Sequence, residues 1–300
     1  MSASLSSRFL ADLAEVYATL HPEKLSAVFL SDLVKIYDTL PIASASSLHF
    51  LAHRFDKWRK VTEEYVNSHL AKLAEDDPLR CPISLFRTMD YGRLEIAHTR
   101  TLAWLLDPVR EHGFGKTLLG ALLRRRCGND RAKTFQVQRV ESELPVVGSG
   151  AKGRLDVLAE GTWQDEKPSG WVLAIEAKVD AWEGEAQLDK YEAWLRRRAA
   201  GRELFLIFLT KNGRSPETGT EEWESLSFLE LVRIFRAVYG ELRGAPGFHF
   251  LKFYLAGVLQ DVCRCPRNVA DGTANPHVVA SYLQSVHESR SEVASHDSTR

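Results

Sequence analysis

GRLDVLAE at 153–160 and WVLAIEAK at 171–178 decide how this 300-residue chain is read. If the two segments pair as antiparallel strands about a turn near Glu166, the register that sets Asp156 opposite Glu176 leaves the polar GTWQDEKPSG stretch (161–170) as the loop. Glu176 and Lys178 then share a face, because side chains on a strand alternate. Two carboxylates about 4 Å apart repel by about 4 kcal/mol at an effective dielectric near 20, so such a cluster calls for a compensating cation, and a divalent metal is the natural one. The competing reading is an exposed hairpin whose acid and base form a surface ion pair, worth about 0–1 kcal/mol. The apolar run Trp171 to Ile175 ahead of Glu-Ala-Lys suits a buried strand that delivers charged groups at its end.

Asp180 with Glu183 three residues on is a helix-start pattern, and Arg196, Arg197 and Arg198 before Gly201 are a helix-end pattern, so 181–199 is predicted helical. Gln187 and Tyr191, four apart, share one face of that helix. Leaving the end of a catalytic strand, the helix can turn this amide and phenol over the site. The alternative makes Tyr191 a core aromatic and Gln187 a solvated amide.

With these residues in place, the chain resembles the PD-(D/E)XK nuclease superfamily, which carries an Asp on one strand, Glu-x-Lys on the next, and Gln and Tyr on the following helix. The likeness is greatest to a bacterial branch with stretches similar to LEIAHTRTLAWLLDPVREHGFGKTLLGALL (94–123), FLIFLTKNGRSPE (205–217) and WESLSFLEL (223–231), and it runs from about Glu95 to about Phe235. Leu155 stands where the superfamily has Pro before Asp156. The resemblance implies an α/β, restriction-endonuclease-like mixed central sheet flanked by helices, here with an N-terminal helical extension. It also implies phosphodiester hydrolysis assisted by magnesium, or by manganese, with Asp156, Glu176 and the Ala177 carbonyl as metal ligands and Lys178, Gln187 and Tyr191 around them.

Glu95 and His98 lie three apart on a helix that Pro108 should end. The resemblance makes Glu95 a water-mediated ligand and catalytic-site acid, and His98 a direct ligand if manganese is accepted; a buried structural histidine is the other reading. Glu141 and Glu143, on the predicted strand TFQVQRVESEL, compete for the same supporting role, and a sheet edge can carry such acids harmlessly.

A net charge of −1, with 44% hydrophobic and 26% charged residues, is ordinary for a globular protein and excludes a polycation. Affinity for nucleic acid, DNA ahead of RNA, must then come from local patches such as Arg124–Arg126 and Arg196–Arg198. Each run also sits near a predicted helix C-terminus, where cations favour the dipole. No apolar run approaches the roughly 18 residues of a membrane span, and Asp12 and Glu15 interrupt any secretory core, so a cytoplasmic protein without membrane contact is expected. Cys81, Cys127, Cys263 and Cys265 lack zinc-site spacing and read as reduced thiols. GFGKT at 113–117 is not a phosphate-binding loop, since Arg110 occupies the position of its first Gly and TLAWLLDP before it reads as helix.

FLADLAEVYATL (9–20) recurs as FLSDLVKIYDTL (29–40), each copy an amphipathic helix, followed by a hinge at PIASASS (41–47). The pair either packs on the core or docks a protein partner or a second copy of the chain. Further predicted elements are a central strand at 204–209, a weaker one at 226–228, helices at 229–242 and around Leu251 to Val262, and a last helix from Pro276 to about Ser289 before a frayed tail. The expected organisation is a helical module at 1–47, a nuclease-like domain at 48–265, and a C-terminal helix with tail at 266–300. The expected function is a metal-dependent nuclease of a defence or repair system; the alternative is a non-catalytic scaffold subunit that keeps the fold.

Overall fold

A computed structural model of the chain describes residues 73–81, 83–131, 134–147, 153–164 and 169–264. The chain divides into two compact units, Cys81–Cys263 with Ser289–Arg300, and Met1–Arg80 with Arg264–Glu288. The repeated helices, the hinge after them and the last helix and tail lie outside the described residues. In the smaller unit the described residues are 73–80, with a 3-10 turn at Pro78–Arg80, and Arg264.

The larger unit is built on a five-stranded sheet in the order β1 (Phe135–Val146), β2 (Gly153–Trp163), β3 (Gly170–Lys178), β4 (Glu203–Thr210) and β5 (Trp223–Ser227). The first three strands form an antiparallel meander and the last three run parallel, so the sheet is mixed. Nearly every residue of β3 is buried, as its unbroken apolar run requires of a strand covered on both faces. The β2–β3 register runs from Thr162↔Gly170 to Val157↔Ile175, and the next pair in that register is 156 with 176.

The loop between these strands is shorter than predicted, because Gly161, Thr162 and Trp163 belong to β2. Trp163 and Trp171 are wholly buried and meet Phe135 and Phe205 through ring contacts, so aromatic burial draws the end of the supposed loop into the ladder. Gly161 is required there: a Cβ would stand 2.0 Å from the Gln136 carbonyl oxygen.

The helices of the described residues are α1 (Leu85–Thr88), α2 (Glu95–Leu106), α3 (Thr117–Arg131), α4 (Gln187–Ala199), α5 (Phe228–Ala237) and α6 (Phe248–Gly257). α2 stops before Pro108, as predicted. α3 is broken at Gly128, whose φ of 78° is non-helical. α4 starts six residues later than its predicted start at 181, because the two acids read as a helix start bind elsewhere. Asp180 pairs with Arg93, and Glu183 accepts the backbone N–H groups of Glu217 and Thr218. The helix predicted over 229–242 is α5, opened by a Ser227–Glu230 capping box, then a separate 3-10 turn at Tyr239–Leu242. α6 runs on into a π-helix at Val258–Val262, and Leu251, Tyr254, Leu255, Val258, Leu259 and Val262 are all buried.

α4 packs Leu188, Tyr191, Leu195 and Ala199 against Leu158 of β2, Val172 and Ala174 of β3, and Leu206 and Phe208 of β4. Its far end is fixed by Arg198, which donates to both oxygens of the buried Glu160 on β2 at 2.7 and 3.3 Å. Leu206 sits at the centre of this layer with no exposed surface. Leu206→Ala is expected to lower the unfolding free energy by about 2–5 kcal/mol, read from urea denaturation. Glu185→Ala, on the exposed approach to α4, should change it by less than about 0.5 kcal/mol.

Candidate active site

β2 and β3 deliver the central groups at the end where their ladder stops. Past the last pair, the Ala177 N–H donates to Asp156 Oδ2 at 2.7 Å, so a side chain takes up the donor that a further ladder bond would have used. One alternation further on, Glu176 Oε1 accepts Lys178 Nζ at 2.6 Å. The first residue of α4 reaches the same oxygen, Gln187 Nε2 donating to Glu176 Oε1 at 2.7 Å and to the Tyr191 hydroxyl at 3.2 Å. Tyr191 in turn donates to the Arg154 carbonyl at 3.0 Å, and Gly153 permits this approach, since a Cβ there would lie 2.5 Å from the phenolic oxygen.

Glu95 opens α2 and binds the strand end twice. Its Oε2 accepts the Val179 N–H at 3.1 Å and its Oε1 lies 3.5 Å from Lys178 Nζ. The structure therefore brings Asp156, Glu176, Lys178, Gln187, Tyr191 and Glu95 together, with the Ala177 main chain among them.

His98 is placed otherwise. It is buried, its Nε2 donates to the Gly92 carbonyl at 3.0 Å, and its ring stacks on Phe86 at 5.1 Å and meets Phe228 and Tyr254. Burial holds its pKa below the usual histidine value, and the charges that act on it are Asp261 and Arg93 rather than the carboxylates of the cluster. Of the two acids on β1, Glu141 pairs with Arg139 on an exposed part of the strand. Glu143 stands across from Asp156 in the β1–β2 register, acts on that carboxyl by charge, and lies 3.7 Å from Arg154. Its φ is +56°, in the left-handed region that a non-glycine residue rarely adopts.

Burial dominates the electrostatics of the pair. It pushes Asp156 up to about 7 against the opposing pull of the Ala177 N–H and Lys178. Glu176, 1% exposed, is pushed up to about 8 by burial and then by Asp156. For Lys178 burial works against the charge, but Glu176 and Glu95 outweigh it and hold the ammonium above its ordinary pKa. Glu176 Oε2 is buried and has no hydrogen-bond partner.

Among the described residues no three His, Cys, Asp or Glu side chains are grouped to hold a metal. Two buried carboxylates, one with an unpaired oxygen, and a main-chain carbonyl beside them do fit a hard divalent cation that completes its shell with water, as magnesium does. They do not fit zinc or another ion that takes nitrogen and sulfur ligands.

Several supports of the site carry no sequence signal. Arg93 bridges Asp180, just after β3, to the Asp261 carbonyl at 2.7 Å. Glu192, buried on α4, accepts the Thr220 N–H at 3.1 Å and fastens the 211–222 segment along the helix. Within the arginine runs, three side chains serve structure: Arg198 binds Glu160, Arg196 binds Glu192 and Glu222, and Arg125 binds Glu224. Their acidic partners are remote in sequence or one helical turn away, so only the fold reveals the pairing.

A family profile described as the PD-(D/E)XK nuclease superfamily matches residues 84–251, the span that contains Glu95, Asp156, Glu176, Lys178, Gln187 and Tyr191. No curated protein and no solved structure matches the chain.

The raised carboxyl pKa values set a pH dependence for the metal-free protein. Between an unfolded value near 4 and the folded values of about 7 and about 8, the folded state holds more protons than the unfolded one, so stability falls as pH rises through that window. The depressed histidines act below about 6.5, and Lys178 only above its ordinary value. In EDTA the thermal midpoint is expected to fall from about pH 6.5 to about pH 8.5, and Glu176→Gln should remove most of the fall. A midpoint that is level across this range in wild type would contradict the buried pair.

Proposed function

The chain belongs to the PD-(D/E)XK nuclease superfamily, and on that premise we propose that it is a metal-dependent phosphodiesterase acting on nucleic acid, DNA ahead of RNA. The observation that carries this reading is the convergence of Asp156, Glu176 and Lys178 at the open end of β2 and β3, with Glu176 Oε2 buried and unpartnered. A buried carboxylate oxygen without a donor is costly, and a bound cation would satisfy it.

In this reading Asp156, Glu176 and the Ala177 carbonyl would hold the ion, with Glu95 as a supporting acid beside them. A bound divalent cation would polarise the scissile phosphate and make a water more acidic. Lys178, kept charged by its acidic neighbours, orients the attacking water or steadies the charge that develops on the phosphate. Gln187 fixes the rotamer of Glu176, and Tyr191 fixes Gln187, so both act by positioning. No covalent intermediate is required. Magnesium is favoured because the donors are oxygens; manganese shares that preference. A place in a defence or repair system, inside the cell, is the setting we assign to such an activity. No helix of the described residues is long and apolar enough to cross a membrane.

The test incubates circular, linear and single-stranded DNA, and RNA, with the protein in magnesium, manganese or EDTA. Cleavage is expected only with metal, and Asp156→Ala and Lys178→Ala should each lose at least about a hundredfold of it. Activity at the wild-type rate in either variant would refute the roles of these two side chains. Binding without any cleavage would favour a non-catalytic scaffold. Magnesium should also raise the thermal midpoint of wild type more than that of Asp156→Ala.

A further inference from the structure

Trp182 is 72% exposed, although the segment that carries it, 179–186, is fastened on both sides. Ahead of it, the Val179 N–H binds Glu95 at 3.1 Å and Asp180 pairs with Arg93. Behind it, the buried carboxylate of Glu183 takes the Glu217 and Thr218 N–H groups at 2.8 and 3.1 Å, and the Gly184 N–H binds Gln187 Oε1 at 3.0 Å. The Arg214 guanidinium lies 4.9 Å from the indole centre and is itself seated against Phe208 at 5.3 Å and near Glu183 at 3.6 Å. One face of the ring is thus backed by a fixed cation while the side chain stays in water. A fold that buries Trp163, Trp171 and Trp223 forgoes a large apolar area at this position.

The position is continuous with the proposed phosphate site. Trp182 is four residues past Lys178, a chain path of at most about 14 Å, and the joining segment leads straight to Gln187. Tyr91 and Leu94, 46% and 45% exposed, flank Arg93 in the sequence, the residue that pairs with Asp180. A rigid indole beside a phosphate site matches a nucleobase, whose π-face any sequence offers. In a duplex that face is already stacked. We infer that Trp182 is the stacking platform for an unpaired base next to the phosphate held at the site, and that the substrate is single-stranded or carries unpaired nucleotides at the cleavage point. The inference rests on the proposed nuclease activity.

The test is binding of a labelled single-stranded oligonucleotide in EDTA, followed by fluorescence anisotropy, with an intact strand and a series in which one base at a time is removed. Trp182→Ala is expected to weaken binding of the intact strand about 5- to 150-fold, Trp182→Phe to retain most of it, and duplex binding to change little. Removing one particular base should weaken wild type by a similar factor and leave Trp182→Ala unaffected. In magnesium, Trp182→Ala should raise KM for the single strand more than it lowers kcat. If wild type cleaves but base removal costs both proteins equally, the platform is refuted and the nuclease reading stands. If wild type neither binds nor cleaves any nucleic acid, both fall.

Discussion

The burial of Glu176 is the constraint on which the rest of the larger unit depends. Placing a carboxylate at 1% exposure on a central strand costs several kcal/mol unless its oxygens are satisfied. Lys178 and Gln187 both serve Oε1, which leaves Oε2 without a donor and Asp156 nearby as a like charge. The pair answers by holding protons to higher pH. A folded protein that retains this arrangement is storing the cost at a place where a cation would remove it, and the proposed chemistry draws on that.

Each neighbouring element is fixed by its relation to this point. The β2–β3 ladder stops one pair short of 156 and 176, so the two strands are free to present side chains where backbone bonds end. α4 is clamped at both ends: Gln187 reaches Glu176 at the start, and Arg198 reaches Glu160 on β2 near the finish. Between the clamps its apolar face packs on β2, β3 and β4, so the helix cannot slide without breaking the core and the amide contact together. α2 is held to the same strand end by Glu95, whose place at the helix N-terminus also favours its negative charge.

How much of this was legible in the sequence follows from the range of the interactions. The unbroken apolar run of 171–175 gave β3, and setting Asp156 opposite Glu176 gave the register, which the observed ladder follows up to Val157↔Ile175. Gln187 and Tyr191 were legible as a same-face pair on a helix. The start of that helix was not, since Asp180 and Glu183 look like capping acids until Arg93 and the 217–218 backbone are brought to them. Trp163 was lost to the loop because its burial depends on Phe135 and Phe205. His98 shares a helix face with Glu95, yet sequence carries nothing of the Phe86, Phe228 and Tyr254 rings that surround it. The N-terminal repeat lies outside the described residues.

The distribution of charge bears on how such a site would hold its substrate. A net charge of −1 supplies no general attraction to phosphate, and within the two arginine runs Arg125, Arg196 and Arg198 are engaged with Glu160, Glu192, Glu222 and Glu224. Among the described residues, the Arg125–Glu224 and Arg198–Glu160 pairs tie α3 and α4 to the sheet, so these arginines serve the fold before any backbone track. For the proposed activity, contacts close to the reacting phosphate would add local affinity. Lys178, the exposed Arg154 beside Glu143, and the indole of Trp182 are the groups so placed, and only the last gains its energy without charge. In the proposed activity stacking and a metal-held phosphate would be complementary in that respect: one would survive high salt, the other would orient the bond to be broken, and neither requires the protein to be basic.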